Sequence, residues 1–266
     1  MALIALASAK GAPGVTTSAL ALTLQWPRPV LLVEADLAGS SIMAGFFKAQ
    51  VAHDRGLVPL AIAHSRGQLA PDFWDQTLPL IEGDSDKKLL PGLPSASAAP
   101  SVFNLWRDLS NHLVALERGG VDVIVDLGRL APAGDDREFL VSLADQVLIT
   151  TGSRLPDIAA TRDLVSHRMA GLESAARDLT NFSVLTVGPG RPYAVGEITE
   201  TLGIPSAGHL GWDPVNAEVL SVGASANERR YERSPLVRSV RPTIDTIQAR
   251  IALRRERFTV RPEEAL

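Results

Sequence analysis

The sequence contains no cysteine. That excludes disulfide staples, thiol catalysis, iron–sulfur clusters and cysteine-ligated zinc. Histidine is sparse: five residues, at positions 53, 64, 112, 167 and 209, none in an H-x-x-x-H arrangement. A histidine-based metal centre is therefore not expected. Long apolar runs are missing too. The longest, such as Leu57–Ala63 and Ala2–Ala7, fall far short of the roughly 20 residues needed to span a bilayer. No basic region precedes an apolar stretch, so no secretory signal is visible. These absences point to a soluble, cytoplasmic chain, with no integral membrane association expected.

Lysine is the other scarcity. Of 26 basic residues only Lys10, Lys48, Lys87 and Lys88 are lysines. The formal net charge of −4 hides a polarity: residues 229–266 carry 10 Arg against 5 acids, a net of +5. The other 228 residues carry 16 basic against 25 acidic residues, a net of −9. The 266 residues are 45% apolar and 21% charged, which suits one sizeable globular core.

Short apolar strands alternate with helical stretches. Strands are expected at 2–7, 30–34, 88–91, 121–126, 146–150 and 182–187, with a short one at His209-Leu210. Helices are expected at 16–25, 101–118, 135–144, 156–172 and 194–202, and Pro91–Pro100 reads as a loop. This order predicts an α/β fold with a mostly parallel sheet and helices on both faces.

Ligands of open parallel sheets gather at the carboxyl ends of the strands. The loop after the first strand reads Lys10-Gly-Ala-Pro-Gly-Val-Thr-Thr17. Glycines let backbone N–H groups turn toward a phosphate, and the following helix aims its N-terminus at the same point. A threonine at the helix start can offer its hydroxyl to Mg²⁺. Against the phosphate-loop pattern G-x-x-x-x-G-K-[ST], Gly14 and Thr16 fit, but Val15 stands where lysine is expected and Ala9 replaces the first glycine. Alone, the loop is equally readable as an ordinary strand-to-helix turn.

Taken with its surroundings, the loop resembles the deviant Walker A motif of the MinD/ParA family of P-loop ATPases, K-G-G-x-G-K-T-[TS]. Lys10 falls on that family's signature lysine; Gly11, Gly14, Thr16 and Thr17 match. Ala12 and Val15 depart from it. The missing phosphate-loop lysine is similar to the CpaE/TadZ-like branch. Val33-Glu-Ala-Asp-Leu-Ala-Gly39 resembles the family's D-x-D-x-x-G motif, with Asp36 on its second aspartate. Lys88–Ser95 resembles the "LPA" strand and loop, and Val123–Asp126 the Walker B strand. Ala144–Thr151 with Asp157–Asp163 is similar to the family's "AD…V…T" region, and Leu210–Pro214 to the loop over the adenine. The likeness covers roughly residues 1–228.

The resemblance implies ATP or ADP bound with Mg²⁺ along Lys10, Gly11, Ala12, Pro13, Gly14, Val15, Thr16 and Thr17, with Asp213 and Pro214 at the base. It implies Thr16, Asp126 and Asp36 around the metal, Asp36 orienting the attacking water, and Lys10 acting across a homodimer. Read from the residues alone, Asp126 is also an ordinary strand-end cap, Asp36 an Asx turn and Lys10 a solvated loop residue. Without the loop lysine, hydrolysis is expected to be slow or absent. The implied output is positioning or regulating a larger assembly through an unknown protein partner. An active ParA-type partition ATPase binding DNA non-specifically is the first alternative. A scaffold acting by protein contacts alone is the second.

Residues 1–235 are expected to form the nucleotide-binding domain. Residues 236–266 form a basic C-terminal helix and tail packed on it. There Val237, Val240, Ile244, Ile247, Ile251 and Phe258 recur at helical spacing, with Arg241, Arg250, Arg254, Arg255 and Arg257 opposite. Pro242 marks the expected helix start. The Arg face admits a solvated surface, a DNA contact or a membrane contact. The closing Pro262–Leu266 does not suit a membrane.

Overall fold

The computed structural model describes residues 2–10, 14–174, 180–225 and 227–259, with side chains except at 117, 172–174 and 258–259. The sequence readings at Gly11, Ala12 and Pro13, the Phe258 side chain and the tail beyond 259 lie outside the described residues.

Strands and helices alternate as β1 Leu3–Ser8, α1 Val15–Gln25, β2 Val30–Glu34, α2 Ser41–Ala44, α3 Leu57–Ser65, α4 Leu69–Asp72, β3 Leu78–Pro79, β4 Lys87–Leu90 and α5 Trp106–Leu116. There follow β5 Asp122–Arg129, α6 Glu138–Leu143, β6 Gln146–Thr151, α7 Leu155–Ser174, β7 Phe182–Gly188, α8 Val195–Leu202, β8 Ser206–Gly211, α9 Pro214–Ser221, α10 Glu228–Glu232 and α11 Pro235–Thr259. The strands form one eight-stranded sheet in the order β3-β4-β2-β5-β1-β6-β7-β8. Only the short β3 runs antiparallel, against β4; the other pairs are parallel.

Period-two alternation divides the strand residues between two cores. Leu3, Ala5, Ala7, Val123, Val125 and Val147 face one layer, packed with α3, α5, α6, α7 and α8. Ile4, Leu6, Ile124, Leu148 and Leu185 face the other, packed with α1, α9 and α11. Covering both faces explains why the strands read as continuous apolar runs. The strand order reverses at β1, flanked by β5 and β6. That reversal opens a crevice at the carboxyl ends of these strands.

Three expectations need correction. Pro91–Pro100 is not all loop: a 3₁₀ stretch runs Ala96–Leu105 into α5. The helix expected from 135 begins at Glu138, because Asp135 and Arg137 are held in a hydrogen-bonded clamp first. The C-terminal helix starts at Pro235, seven residues before Pro242. Ser234 caps it, its hydroxyl accepting from the Val237 N–H at 3.2 Å, and Pro235 takes the first helical position. The Ser-Pro pair was the readable signal.

Pro242 lies inside α11 on its exposed side. A proline there costs about 3 kcal/mol. Burial of Leu236, Val240, Ile244, Ile247 and Ile251 against the α1 layer offsets it. Truncating Ile247, which has no exposed surface, to alanine is expected to cost about 2–5 kcal/mol. Urea unfolding checks this; a loss below about 0.5 kcal/mol, on the same scale, would mean α11 is not part of the core. The basic face is also partly tied down. Arg255 donates to Asp145 at 2.8 and 3.1 Å, Arg254 lies 3.9 Å from it, and Arg250 donates to Gln146 at 3.3 Å.

Candidate functional site

The crevice at the end of β1 is shaped by β1, β2 and β5. Gly14 sits at the N-terminus of α1 in the left-handed region, φ 67°, a conformation that glycine adopts without strain. Its carbonyl starts the helix by accepting the Ser18 N–H at 2.8 Å. The next side chain, Val15, turns inward; it is 6% exposed and packs with the α1 layer. Position 15 therefore contributes no charge to the crevice. Thr16 and Thr17 are half-buried at the helix start, where the unpaired N–H groups and the helix dipole favour an anion.

Lys10 is exposed and its ammonium donates to the Pro156 carbonyl at 3.0 Å, on the first turn of α7. Asp213 caps α9: its Oδ1 accepts the Asn216 N–H at 3.2 Å and its Oδ2 the Asn216 side-chain amide at 2.7 Å. Pro214 takes the first helical position after it. α9 packs on α1.

Three carboxylates converge beside Thr16. Glu34 and Asp126 are register partners on β2 and β5. Asp36 follows β2 and lies against Gly128, where a Cβ would sit 2.1 Å from Asp36 Oδ2. Gly128 also takes φ 57°, so the position demands glycine twice over. Each acid has a different state. Glu34 is saturated: it accepts from the Ser41, Ile42 and Gly92 N–H groups at 2.8, 3.0 and 3.2 Å and from the Ser40 hydroxyl. Burial pushes its pKa above the usual carboxylate value despite those bonds. A direct metal role for Glu34 is thereby disfavoured, since both its oxygens already hold the loop that starts α2. Asp36 Oδ1 accepts the Ala38 N–H at 2.8 Å as an Asx turn.

Asp126 is the unsettled one. Its Oδ1 accepts the Gly128 N–H at 2.8 Å. Its Oδ2 is fully buried without a hydrogen-bond partner among the described residues. Burial raises its pKa to about 7; the nearby Thr16 hydroxyl and the Gly128 N–H pull it down, while Glu34 and Asp36 push it further up. A buried orphan acceptor is costly. Among the described residues no three His, Asp or Glu are arranged to enclose a metal by themselves. Thr16 and Asp126 suit a Mg²⁺ that takes its remaining ligands from phosphate and water.

Arg137 escaped the sequence reading. Its guanidinium is 2% exposed and pairs with Asp135 at 2.7 and 2.8 Å. It also donates to the carbonyls of Ala35 at 2.9 Å, Arg129 at 2.8 Å and Leu127. Those carbonyls flank Asp36 and Gly128, so one side chain fixes the ends of β2 and β5 against each other. The Asp135-Asp-Arg137 spacing was the available signal, but nothing in it predicted burial.

No protein-family model and no curated protein matches the sequence. Solved structures do match. MinD from Pyrococcus horikoshii, complexed with Mg-ADP, superposes with a TM-score of 0.66 at 16% identity, covering 92% of this chain and 94% of that one. The apo McdA structure from Cyanthece gives 0.66 at 18%, over 91% and 98% of the two chains. A putative plasmid partition protein from Borrelia burgdorferi, bound to AMPPNP, gives 0.64 at 15%, over 92% and 98%. The fold is that of the MinD/ParA P-loop ATPases. At these identities the match establishes architecture; the chemistry rests on the side chains described above. Among the described residues no helix is long and apolar enough to cross a membrane.

Proposed function

We propose that this chain binds ATP or ADP with Mg²⁺ in the crevice between β1 and α1. We propose further that it dimerises across the nucleotide, hydrolyses it slowly or not at all, and so positions or regulates a larger assembly in the CpaE/TadZ-like manner. One observation carries the reading: the orphan carboxylate oxygen of Asp126 beside Thr16 at a helix N-terminus, within a MinD/ParA fold. Gly14 and the α1 N–H groups would hold phosphate, with Gly11, Ala12 and Pro13 completing the loop. Thr16 and Asp126 would hold Mg²⁺, which supplies charge neutralisation between phosphate oxygens when bound. Asp36 would accept from and orient the attacking water, and Asp213 and Pro214 would border the base.

Val15 supports weak turnover. Losing one electrostatic donor to a transferring group typically costs on the order of 10²–10³ in rate. Lys10 is the remaining cation of the loop, and in the single chain it rests on the Pro156 carbonyl. A role across the dimer requires it to leave that acceptor. Lys10→Ala is therefore expected to keep nucleotide binding while abolishing the nucleotide-dependent mass increase seen by size-exclusion light scattering. Turnover like that of a vigorous ATPase, surviving Lys10→Ala, would contradict this; no change in mass or thermal stability with nucleotide would favour a scaffold.

A second reading, ParA-type contact with DNA, is favoured by a different observation. Arg229, Arg230 and Arg233 line a cavity of about 570 Å³ with Asp213, Asn216 and Asn227, and none of the three guanidiniums has an ion pair among the described residues. Free positive charge is thus present at 229–233 as well as at the exposed Arg241 and Arg257, whereas Arg254 and Arg255 share Asp145. If this reading holds, an unrelated duplex binds with a steep salt dependence. The triple Arg→Ala variant then loses most of that binding in fluorescence anisotropy. Equal binding by the variant would remove the reading.

A further inference from the structure

The end of the sheet opposite the nucleotide crevice carries a cavity of its own. It measures about 520 Å³ and lies at the amino ends of β7 and β8, between α7 and α11. The crevice opens at the carboxyl ends of the same parallel strands, so the two sites are separate. Met169, Pro205 and Leu253 give the cavity an apolar wall, and Arg250, Arg254 and Arg257 line it beside them. Leu253 is 59% exposed, and the three arginines are half-buried or exposed.

The charge on this wall is one-sided. No Asp or Glu stands among the described residues that line it. Arg254 shares Asp145 with Arg255, at 3.9 and 2.8 Å. Arg250 donates its Nε–H to the neutral Gln146 side chain at 3.3 Å. Neither Arg250 nor Arg257 has an ion pair among the described residues. Burial lowers the Arg250 pKa, the charge of Arg257 lowers it further, and no carboxylate raises it. The two guanidiniums are therefore close enough to repel each other. Spacings of four and three place residues 250, 254 and 257 on one face of α11. Arg250 and Arg257 are about 10.5 Å apart along the axis, at about 1.5 Å per residue. Two long arginine stems can close that gap from its two ends.

We propose that this cavity binds a phosphate monoester of a small apolar alcohol. The phosphate oxygens accept from Arg250 and Arg257, and the apolar group lies along Met169, Pro205 and Leu253. Two guanidiniums without a counter-charge call for a dianion, and a phosphate monoester carries about −1.5 to −2 near neutral pH. Guanidinium forks also match phosphate oxygens two at a time. The volume falls within the usual range for small-ligand sites.

The test is a ¹H–¹⁵N NMR titration of the full chain with hexyl phosphate, following the Nε–H signals of Arg250 and Arg257 and the Leu253 backbone. Saturable shifts at all three are expected. Affinity should fall at least tenfold in Arg250→Met and in Arg257→Met. It should fall as far in Leu253→Glu, an exposed position three residues from Arg250 and four from Arg257, where a carboxylate meets both guanidiniums from within the helix. Inorganic phosphate lacks the apolar group and hexyl sulfate lacks the second charge; each should bind at least tenfold less tightly than hexyl phosphate. No shift at millimolar ester overturns the proposal. So do shifts that persist unchanged in all three variants, which would place the ester elsewhere, the nucleotide crevice included. Inorganic phosphate or hexyl sulfate binding as tightly as the ester overturns it too. So does binding to phosphatidic acid vesicles without binding to the soluble ester, which would assign the wall to a membrane surface.

Discussion

Replacing Asp126 by Asn is expected to stabilise the nucleotide-free protein at pH 8 and to remove the Mg²⁺-dependent part of its response to nucleotide. The sign follows from the carboxyl's environment. Its pKa stands at about 7 in the fold, against an ordinary value of 3.8, with burial the leading cause. Between those values the folded chain holds a proton that the unfolded chain has released. Stability therefore falls as pH rises through that window. The penalty is absent below about pH 3.8 and complete above about pH 7. A gap of that size corresponds to about 4 kcal/mol. Asn keeps the oxygen that accepts from Gly128 and carries no charge. For a chain of this length, about 1 kcal/mol is worth about 2–4 °C in Tm, so a rise of several degrees is expected at pH 8, shrinking toward pH 4. The same change removes the group proposed to meet Mg²⁺. Mg-ADP at a hundredfold excess over the wild-type Kd, which stabilises wild type by about 2.7 kcal/mol, should then stabilise the variant less. Differential scanning calorimetry across pH, with and without Mg-ADP, reads both effects. An Asp126→Asn variant that is less stable than wild type at every pH would contradict the assignment. The orphan oxygen is thus a stability cost located where a cation is expected, a common pattern at functional sites.

Arg137→Met is expected to destabilise the fold by about 3–5 kcal/mol, because it leaves the buried Asp135 carboxylate without its counter-charge. Burial raises the Asp135 pKa, but the Arg137 hydrogen bonds and charge outweigh it and hold the carboxyl below its ordinary value. The pair's stabilisation is therefore present above pH 3.8 and is lost as pH falls toward the folded-state pKa. Arg137→Met with Asp135→Asn should recover part of the loss, since no buried charge then remains. Urea unfolding of the two single variants and the double variant gives the coupling. A loss below about 1 kcal/mol, well under the buried-pair range, would mean that the clamp does not fix the strand ends. Because Arg137 holds the Ala35 and Leu127 carbonyls, the double variant should also bind Mg-nucleotide more weakly than wild type.

The alternation of apolar strands and helical stretches carried the α/β architecture, because a sheet buried on both faces writes itself as continuous apolar runs. Boundaries moved where side-chain chemistry competed with periodicity. Asp135 and Arg137 delay α6. Ser234-Pro235 begins α11 early, and packing carries that helix past Pro242. The crevice was legible from Gly14, Thr16, Asp36 and Asp126, whose spacing tracks the ends of β1, β2 and β5. The saturation of Glu34 by Ser40, Ser41, Ile42 and Gly92 depends on loops that meet only in three dimensions. Arg137 was invisible for the same reason: a lone Arg in a polar segment gives no sign that it will be buried on three carbonyls. The Arg-rich C-terminal face was readable as charge. The pairing of Arg254 and Arg255 with Asp145, far away in sequence, was not.

A Mg²⁺-dependent nucleotide site at the end of β1 is read by isothermal titration of ADP into the full chain, with Mg²⁺ and then with EDTA. One nucleotide per chain is expected, bound at least tenfold more tightly with Mg²⁺, with that Mg²⁺ advantage gone in Asp126→Asn. Absence of binding heat at millimolar ADP under both conditions, or equal affinity with Mg²⁺ and EDTA, would contradict it.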